Sequence, residues 1–243
     1  MLMNFLMQYG RLNLSSKNRL SAKVFVKDKL YEKKFSKILE LCIYAHSKMT
    51  QNETQLYDKD EETLRSMLKT YMQNNRGNFK LGNYHIDAES AEIDECTYKT
   101  LGYCDLKITI PTNNEWSNEP ERYFTIECKR LDGSVNKNKL YISQGIHRFI
   151  TEKYSKNMNI GGMIAFVENN KNSIKDINEI VEDINKKLIE DFRHLADEKL
   201  LPYTITENFT NSYQSHHNIN NKDRTINLIH LFFENRNNEQ VTA

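Results

Sequence analysis

Seven consecutive residues, Gly161-Gly162-Met163-Ile164-Ala165-Phe166-Val167, carry no polar side chain. That run most restricts the fold, because a short continuous apolar stretch is the mark of a central strand buried on both faces. The elements around it follow from periodicity. Phe35, Ile38, Leu41, Cys42 and Ala45 keep helical spacing and predict a helix over about 30–49. Leu64, Met67, Leu68 and Tyr71 predict a second over 60–72, ended by Asn74-Asn75-Arg76-Gly77. Strand-like runs lie near 83–93, 100–110 and 122–131, then a helix over 138–154 precedes the apolar strand. Ser173 is placed to cap a long amphipathic helix through Ile174, Ile177, Val181, Ile184, Leu188, Phe192 and Leu195. Two last strands, 203–213 and 225–233, flank an Asn/His/Lys-rich turn. Helices, three strands, helix, strand, helix and two strands describe an α/β fold with a mixed sheet.

With 243 residues, of which 38% are hydrophobic, the chain can build one good core. Residues 1–59 read as a helical, partly basic segment suited to partner docking, and 60–243 as the main domain. No Gly/Ser-rich linker divides them, so one continuous domain is the simpler description. Net charge is only +1, which excludes a global basic field. Positive charge instead gathers locally: Lys17–Lys34 and Lys129–Lys156 each hold seven Lys/Arg against two acidic residues. Solvated helix faces would produce the same pattern. Cys42, Cys96, Cys104 and Cys128 have no CxxC spacing. A disulfide scaffold or zinc ribbon is therefore not expected, and a reducing cytoplasm is. Met1–Met7 lacks the charged start of a signal peptide, and no stretch reaches membrane-span length.

The strand Tyr123-Phe124-Thr125-Ile126-Glu127-Cys128-Lys129-Arg130-Leu131 sets Glu127 and Lys129 on one face, because strand side chains alternate. The preceding strand, Gly102-Tyr103-Cys104-Asp105-Leu106-Lys107-Ile108, carries Asp105 within a hydrophobic alternation. Two carboxylates and an amine from neighbouring strands suit metal-assisted phosphodiester cleavage. A divalent metal neutralises the anion and lowers the pKa of bound water, and a cation meets the developing charge. Asp105 and Glu127, with the backbone carbonyl of Cys128, are the expected ligands of Mg²⁺, or of Mn²⁺ in its place. Lys129 is the expected catalytic cation. A bare Glu-x-Lys is weak, since Glu32 and Lys34 repeat it in a helical stretch where such residues do not face each other. The bland alternative is a surface strand with one exposed ion pair.

These residues resemble the PD-(D/E)xK nuclease superfamily, through Asp105 and Glu127-Cys128-Lys129. Tyr141-Ile142-Ser143-Gln144-Gly145-Ile146-His147-Arg148-Phe149, Tyr154 and Gly162-Met163-Ile164 look like its bacterial phage-defence members. The resemblance covers roughly residues 60–235, with Cys104 in place of the motif's proline. It implies a restriction-endonuclease-like mixed β-sheet flanked by helices, and an endonuclease acting on DNA. It also implies action as the nuclease subunit of a defence or restriction complex, with an ATPase or helicase partner. A homo-oligomer is allowed. At 100° per residue, Ile142, Ile146, Phe149 and Ile150 share a core arc, while Tyr141, Gln144 and Arg148 share the opposite one. The resemblance implies that Gln144 joins the catalytic set and that Arg130, Tyr141 and Arg148 contact nucleic acid. It further implies a first-helix carboxylate in the metal shell, for which Glu62 is the candidate and Glu61 the competitor. Dipole complementarity alone would explain both. His216, His217 and His230 show no zinc-ligand spacing and read as a structural or substrate-contacting hairpin. Trp116 could touch nucleic acid or anchor its loop. The competing reading is a catalytically silent nuclease-fold subunit that binds nucleic acid or proteins.

Overall fold

The computed structural model describes residues 16–93, 98, 100–109, 123–154, 158–168, 175–219 and 224–235. Met1–Met7, Cys96, Trp116, Ser173 and Ile174 lie outside the described residues, as do the side chains of 16–28 that carry most of the first basic stretch. The described residues fall into two compact units divided between Phe35 and Ser36. In the first, residues 16–35 are helical, and Lys34 Nζ stands 5.9 Å from the Tyr31 ring centroid. Helix α1, Ser16–Asn52, runs through this division. Its residues 36–52, read from sequence as part of a separate segment, belong to the same unit as the sheet.

That second unit continues with α2 (Glu61–Asn75), β1 (His85–Ile93), β2 (Thr100–Thr109) and β3 (Tyr123–Leu131). A broken helix follows: α3 (Val135–Tyr141), a π-helical turn (Ile142–Ile146) and α4 (His147–Ile150). Then come β4 (Ile160–Val167), α5 (Ile177–Glu190), a 3₁₀ turn (Ala196–Glu198), β5 (Leu201–Pro202), β6 (Ser212–Asn218) and β7 (Thr225–Glu234). The described strands form one seven-stranded mixed sheet in the order β1-β2-β3-β4-β7-β6-β5. β4 runs parallel to both β3 and β7, and the other pairs are antiparallel. Among the described residues, no helix is long and apolar enough to cross a membrane.

β4 is buried along its whole length, as its unbroken apolar run requires. One face packs against the broken helix and α5 through Tyr141, Ile142, Ile146, Met163, Ala165, Ile180, Ile184 and Leu188. Glu127 pairs in register with Met163, and Lys129 with Ala165, so both polar side chains share that face. Gly161 marks a close approach to the aromatic core. A Cβ there would sit 2.6 Å from Phe149 Cε1 and 3.2 Å from Leu228 Cδ2. Gly161→Ala is expected to destabilise the fold by about 1–3 kcal/mol through overpacking, readable as a lower denaturation midpoint at unchanged m-value.

Three expectations need correction. The helix expected from Ser173 starts at Ile177 instead. The Asp176 side chain accepts from the Glu179 amide, and the Glu179 side chain accepts from the Asp176 amide, a reciprocal cap. Leu195, expected on its apolar stripe, lies beyond the helix and is exposed. The strand expected at 203–213 falls instead at Ser212–Asn218, in what read as a turn. Its inward residues Ser215 and His217 are polar, so the alternation is invisible to hydropathy, yet both are buried and bonded to each other. The helix expected unbroken over 138–154 carries the π turn. A π turn holds one residue more than an α turn and so shifts phase by roughly 100°. Tyr141 therefore lies in the core rather than beside Arg148.

Candidate active site

Asp60 caps α2 through the Thr63 amide, and the next residue, Glu61, turns toward β3. Glu61 Oε2 accepts from the Arg130 amide at 2.9 Å, and Oε1 lies 3.2 Å from Lys129 Nζ. One turn on, buried Arg65 donates to Asp105 Oδ1 at 2.7 Å and to Glu89 Oε1 at 2.5 Å. β2 and β3 pair in register from Thr109↔Tyr123 to Leu106↔Ile126. One residue further, the Asp105 carboxylate accepts from the Cys128 amide at 2.7 Å. Asp105 is thereby held between a helix and a strand.

Lys129 Nζ lies at the meeting point of four oxygens. Cys128 O is at 2.7 Å, Glu127 Oε1 at 2.8 Å, Glu61 Oε1 at 3.2 Å and Asp105 Oδ2 at 3.6 Å. Three carboxylates and one carbonyl thus converge on a single cation. Glu127 Oε1 also accepts from Arg148 at 2.5 Å, and Arg148 donates to the Tyr154 hydroxyl at 2.7 Å. The Tyr154 hydroxyl donates in turn to Tyr103 O at 2.5 Å, tying this corner to β2. Glu127 Oε2 is different: it is buried and has no hydrogen-bond partner among the described residues. A buried carboxylate oxygen without a donor is costly, and it marks an oxygen free to bind a cation.

Burial, reinforced by the Asp105 charge, pushes the Glu127 carboxyl up to about 7, against Lys129 and Arg148, which pull it down. Burial opposes the Lys129 charge, but Glu127, Asp105 and Glu61 outweigh it and hold the ammonium above its ordinary range. The Cys128 thiol is fully buried and pushed far up by desolvation, so this residue offers the site only its main chain. The donor set is hard oxygen, which fits Mg²⁺ and not a soft metal.

Asp105, Glu127, Lys129 and the Cys128 carbonyl are brought together as the spacing indicated. Arg148 joins them, half-buried, through Glu127. The first-helix carboxylate at the cluster is Glu61; Glu62 is exposed and faces a shallow depression with Glu53 and Tyr71. Gln144 is exposed on the π turn, with no described bond to the cluster. Arg130 pairs its guanidinium with Glu168. Tyr141 is fully buried, with its hydroxyl 2.8 Å from His230 Nδ1, so it has no surface to offer a nucleic acid. Arg65 and the anchoring role of Tyr154 were missed. The available signal was an arginine four residues after Glu61, on a helix whose neighbouring positions Leu64 and Leu68 are core. Against known proteins, the chain matches no family model, no curated protein and no solved structure.

Proposed function

We propose that this chain is a Mg²⁺-dependent nuclease with a restriction-endonuclease-like fold, hydrolysing DNA phosphodiester bonds. The observation that carries the reading is the convergence of Asp105, Glu127, Glu61 and the Cys128 carbonyl on one cation, with Glu127 Oε2 left over. Asp105, Glu127 and the Cys128 carbonyl would hold the metal, with Glu61 beside them. Bound there, a divalent ion supplies charge neutralisation of the phosphate and acidification of water. With the metal on those oxygens, Lys129 would orient water and meet the negative charge of the transition state. Arg148, anchored by Tyr154 and partly open to solvent, is the group placed to grip a phosphate oxygen. Sequence choice and activation are assigned to a partner, an ATPase or helicase of a bacterial defence assembly.

A second reading has one observation in its favour. Every carboxylate of the cluster already has a positively charged partner, as a non-catalytic nuclease-fold subunit would retain for structure. Supercoiled plasmid incubated with the chain and Mg²⁺, Mn²⁺ or EDTA separates the two. The nuclease reading expects nicking or linearisation with either metal, and none with EDTA or with Glu127→Ala. Nicking that persists in EDTA or in Glu127→Ala would contradict it.

The raised Glu127 pKa adds a pH dependence. Its native value, about 7, exceeds the ordinary 4.5, so the native state keeps a proton that the unfolded chain has released between them. Stability from this group therefore falls as pH rises through that window. Metal binding runs the other way, because the ligand must be deprotonated. Mn²⁺ affinity is expected to drop about tenfold per pH unit below about 7, and Glu127→Gln is expected to flatten that slope in a calorimetric titration series.

A further inference from the structure

We propose that His194, Glu198 and His217 form a second metal site, distinct in chemistry from the oxygen cluster, for a divalent transition metal of the Zn²⁺ class. The three offer ligand atoms that all lie within 4.8 Å of one another. They come from separate elements: His194 follows α5, Glu198 closes the 3₁₀ turn, and His217 is on β6. His194 Nδ1 is 2.8 Å from Glu198 Oε2, and His217 Nδ1 is 4.0 Å from Glu198 Oε1. At the edge, His147 Nε2 of α4 stands 3.0 Å from His194 Nε2, outside the group of three.

The observation that points to a ligand is on His217. Its ring is fully buried, and its Nδ1, facing Glu198, has no hydrogen-bond partner among the described residues. Its other nitrogen is already fixed. His217 Nε2 is 2.7 Å from Ser215 Oγ, which lies 2.7 Å from His230 Nε2, and His230 Nδ1 meets the Tyr141 hydroxyl at 2.8 Å. Metal-binding histidines are held this way, one nitrogen on the ion and the other on an orienting partner. Burial, with help from His230 and His194, also keeps the His217 ring neutral, as a ligand must be.

Glu198 is prepared as well. Burial opposes its charge, but the Asn218 and Leu195 amides, with His194, keep the carboxylate below its ordinary range. The Asn218 amide, at 3.0 Å, leaves Oε1 a lone pair, while Oε2 meets both the Leu195 amide, at 2.9 Å, and His194 Nδ1. Imidazoles with one carboxylate favour Zn²⁺ over Mg²⁺, the reverse of the preference of the Lys129 cluster. Such an ion would clip the segment after α5 to β6. Spacing within the last hairpin could not reveal the site, because His216 is exposed and the partners of His217 lie in another stretch of chain.

The test uses the full chain, stripped of metal and titrated with Zn²⁺ alone by calorimetry and by thermal melting. The expected result is one tight equivalent and a higher melting temperature, both persisting in Glu127→Gln. In His194→Ala, affinity is expected to fall by roughly 10–100-fold or more. Co²⁺ added to the unmutated chain should give the intense visible absorption of a low-coordinate, nitrogen-containing site. The proposal is overturned if the unmutated chain takes up no Zn²⁺, if His194→Ala binds it equally well, or if Co²⁺ shows only the weak octahedral spectrum of oxygen ligands.

Discussion

Lys129→Ala is expected to lower Mg²⁺-dependent plasmid cleavage by on the order of 10²–10³-fold, while divalent-metal binding is kept or tightened. The two halves of this result come from one geometry. Lys129 Nζ sits among Cys128 O, Glu127 Oε1, Glu61 Oε1 and Asp105 Oδ2, so the ammonium competes with any metal for the same oxygens. Removing it leaves three carboxylates facing one another, and a divalent ion then relieves their repulsion. The cation that should meet the transition state is lost at the same time. A purely structural lysine gives a different pattern: lower stability and no change in cleavage per folded molecule. Cleavage rates normalised to folded protein, read beside Mn²⁺ titrations, distinguish the two. Unchanged cleavage in Lys129→Ala would remove the catalytic role assigned to it.

Arg65→Met is expected to cost about 3–5 kcal/mol of folding stability, the range for breaking a buried ion pair from one side. Arg65 is buried and neutralises Asp105, whose side chain is only 10% exposed. Glu89 is 58% exposed, so water can take over that partner. The loss therefore falls on Asp105, left with one hydrogen bond from the Cys128 amide and a distant ammonium. For a chain of this size the midpoint should drop by roughly 10 °C. Adding Asp105→Asn removes the stranded charge, so the double variant should melt above Arg65→Met and well short of additivity. A single variant that melts with the unmutated chain, or strictly additive losses, would show that Arg65 does not hold Asp105 in the way described.

Much of this was legible in the sequence where side-chain pattern and burial agree. The apolar run Gly161–Val167 identified a strand buried on both faces, and alternation in Tyr123–Leu131 put Glu127 and Lys129 together. Asp105 was legible as the one acidic residue within an apolar alternation. Legibility failed where polar residues are buried or where the backbone leaves its regular period. β6 hides because Ser215 and His217, bonded to each other inside the fold, look in sequence like turn residues. Tyr141 was placed on the wrong face because the π turn adds a residue's worth of rotation before Arg148. Choosing Glu61 over Glu62 requires knowing which side of α2 meets β3, and that follows from Leu64 and Leu68 only once the sheet is in place. Partner subunits and the choice of DNA as substrate have no counterpart among these contacts and rest on resemblance, and the expected reducing cytoplasm rests on cysteine usage.

The most direct test of the central claim is Mn²⁺ binding to the metal-free chain near pH 8, followed by electron paramagnetic resonance, with excess Mg²⁺ as competitor. One Mn²⁺ that Mg²⁺ displaces is expected, lost in the double variant Asp105→Asn/Glu127→Gln and retained in Lys129→Ala and His194→Ala. A chain that binds no Mg²⁺-displaceable Mn²⁺, or that binds it equally well without both carboxylates, would contradict it.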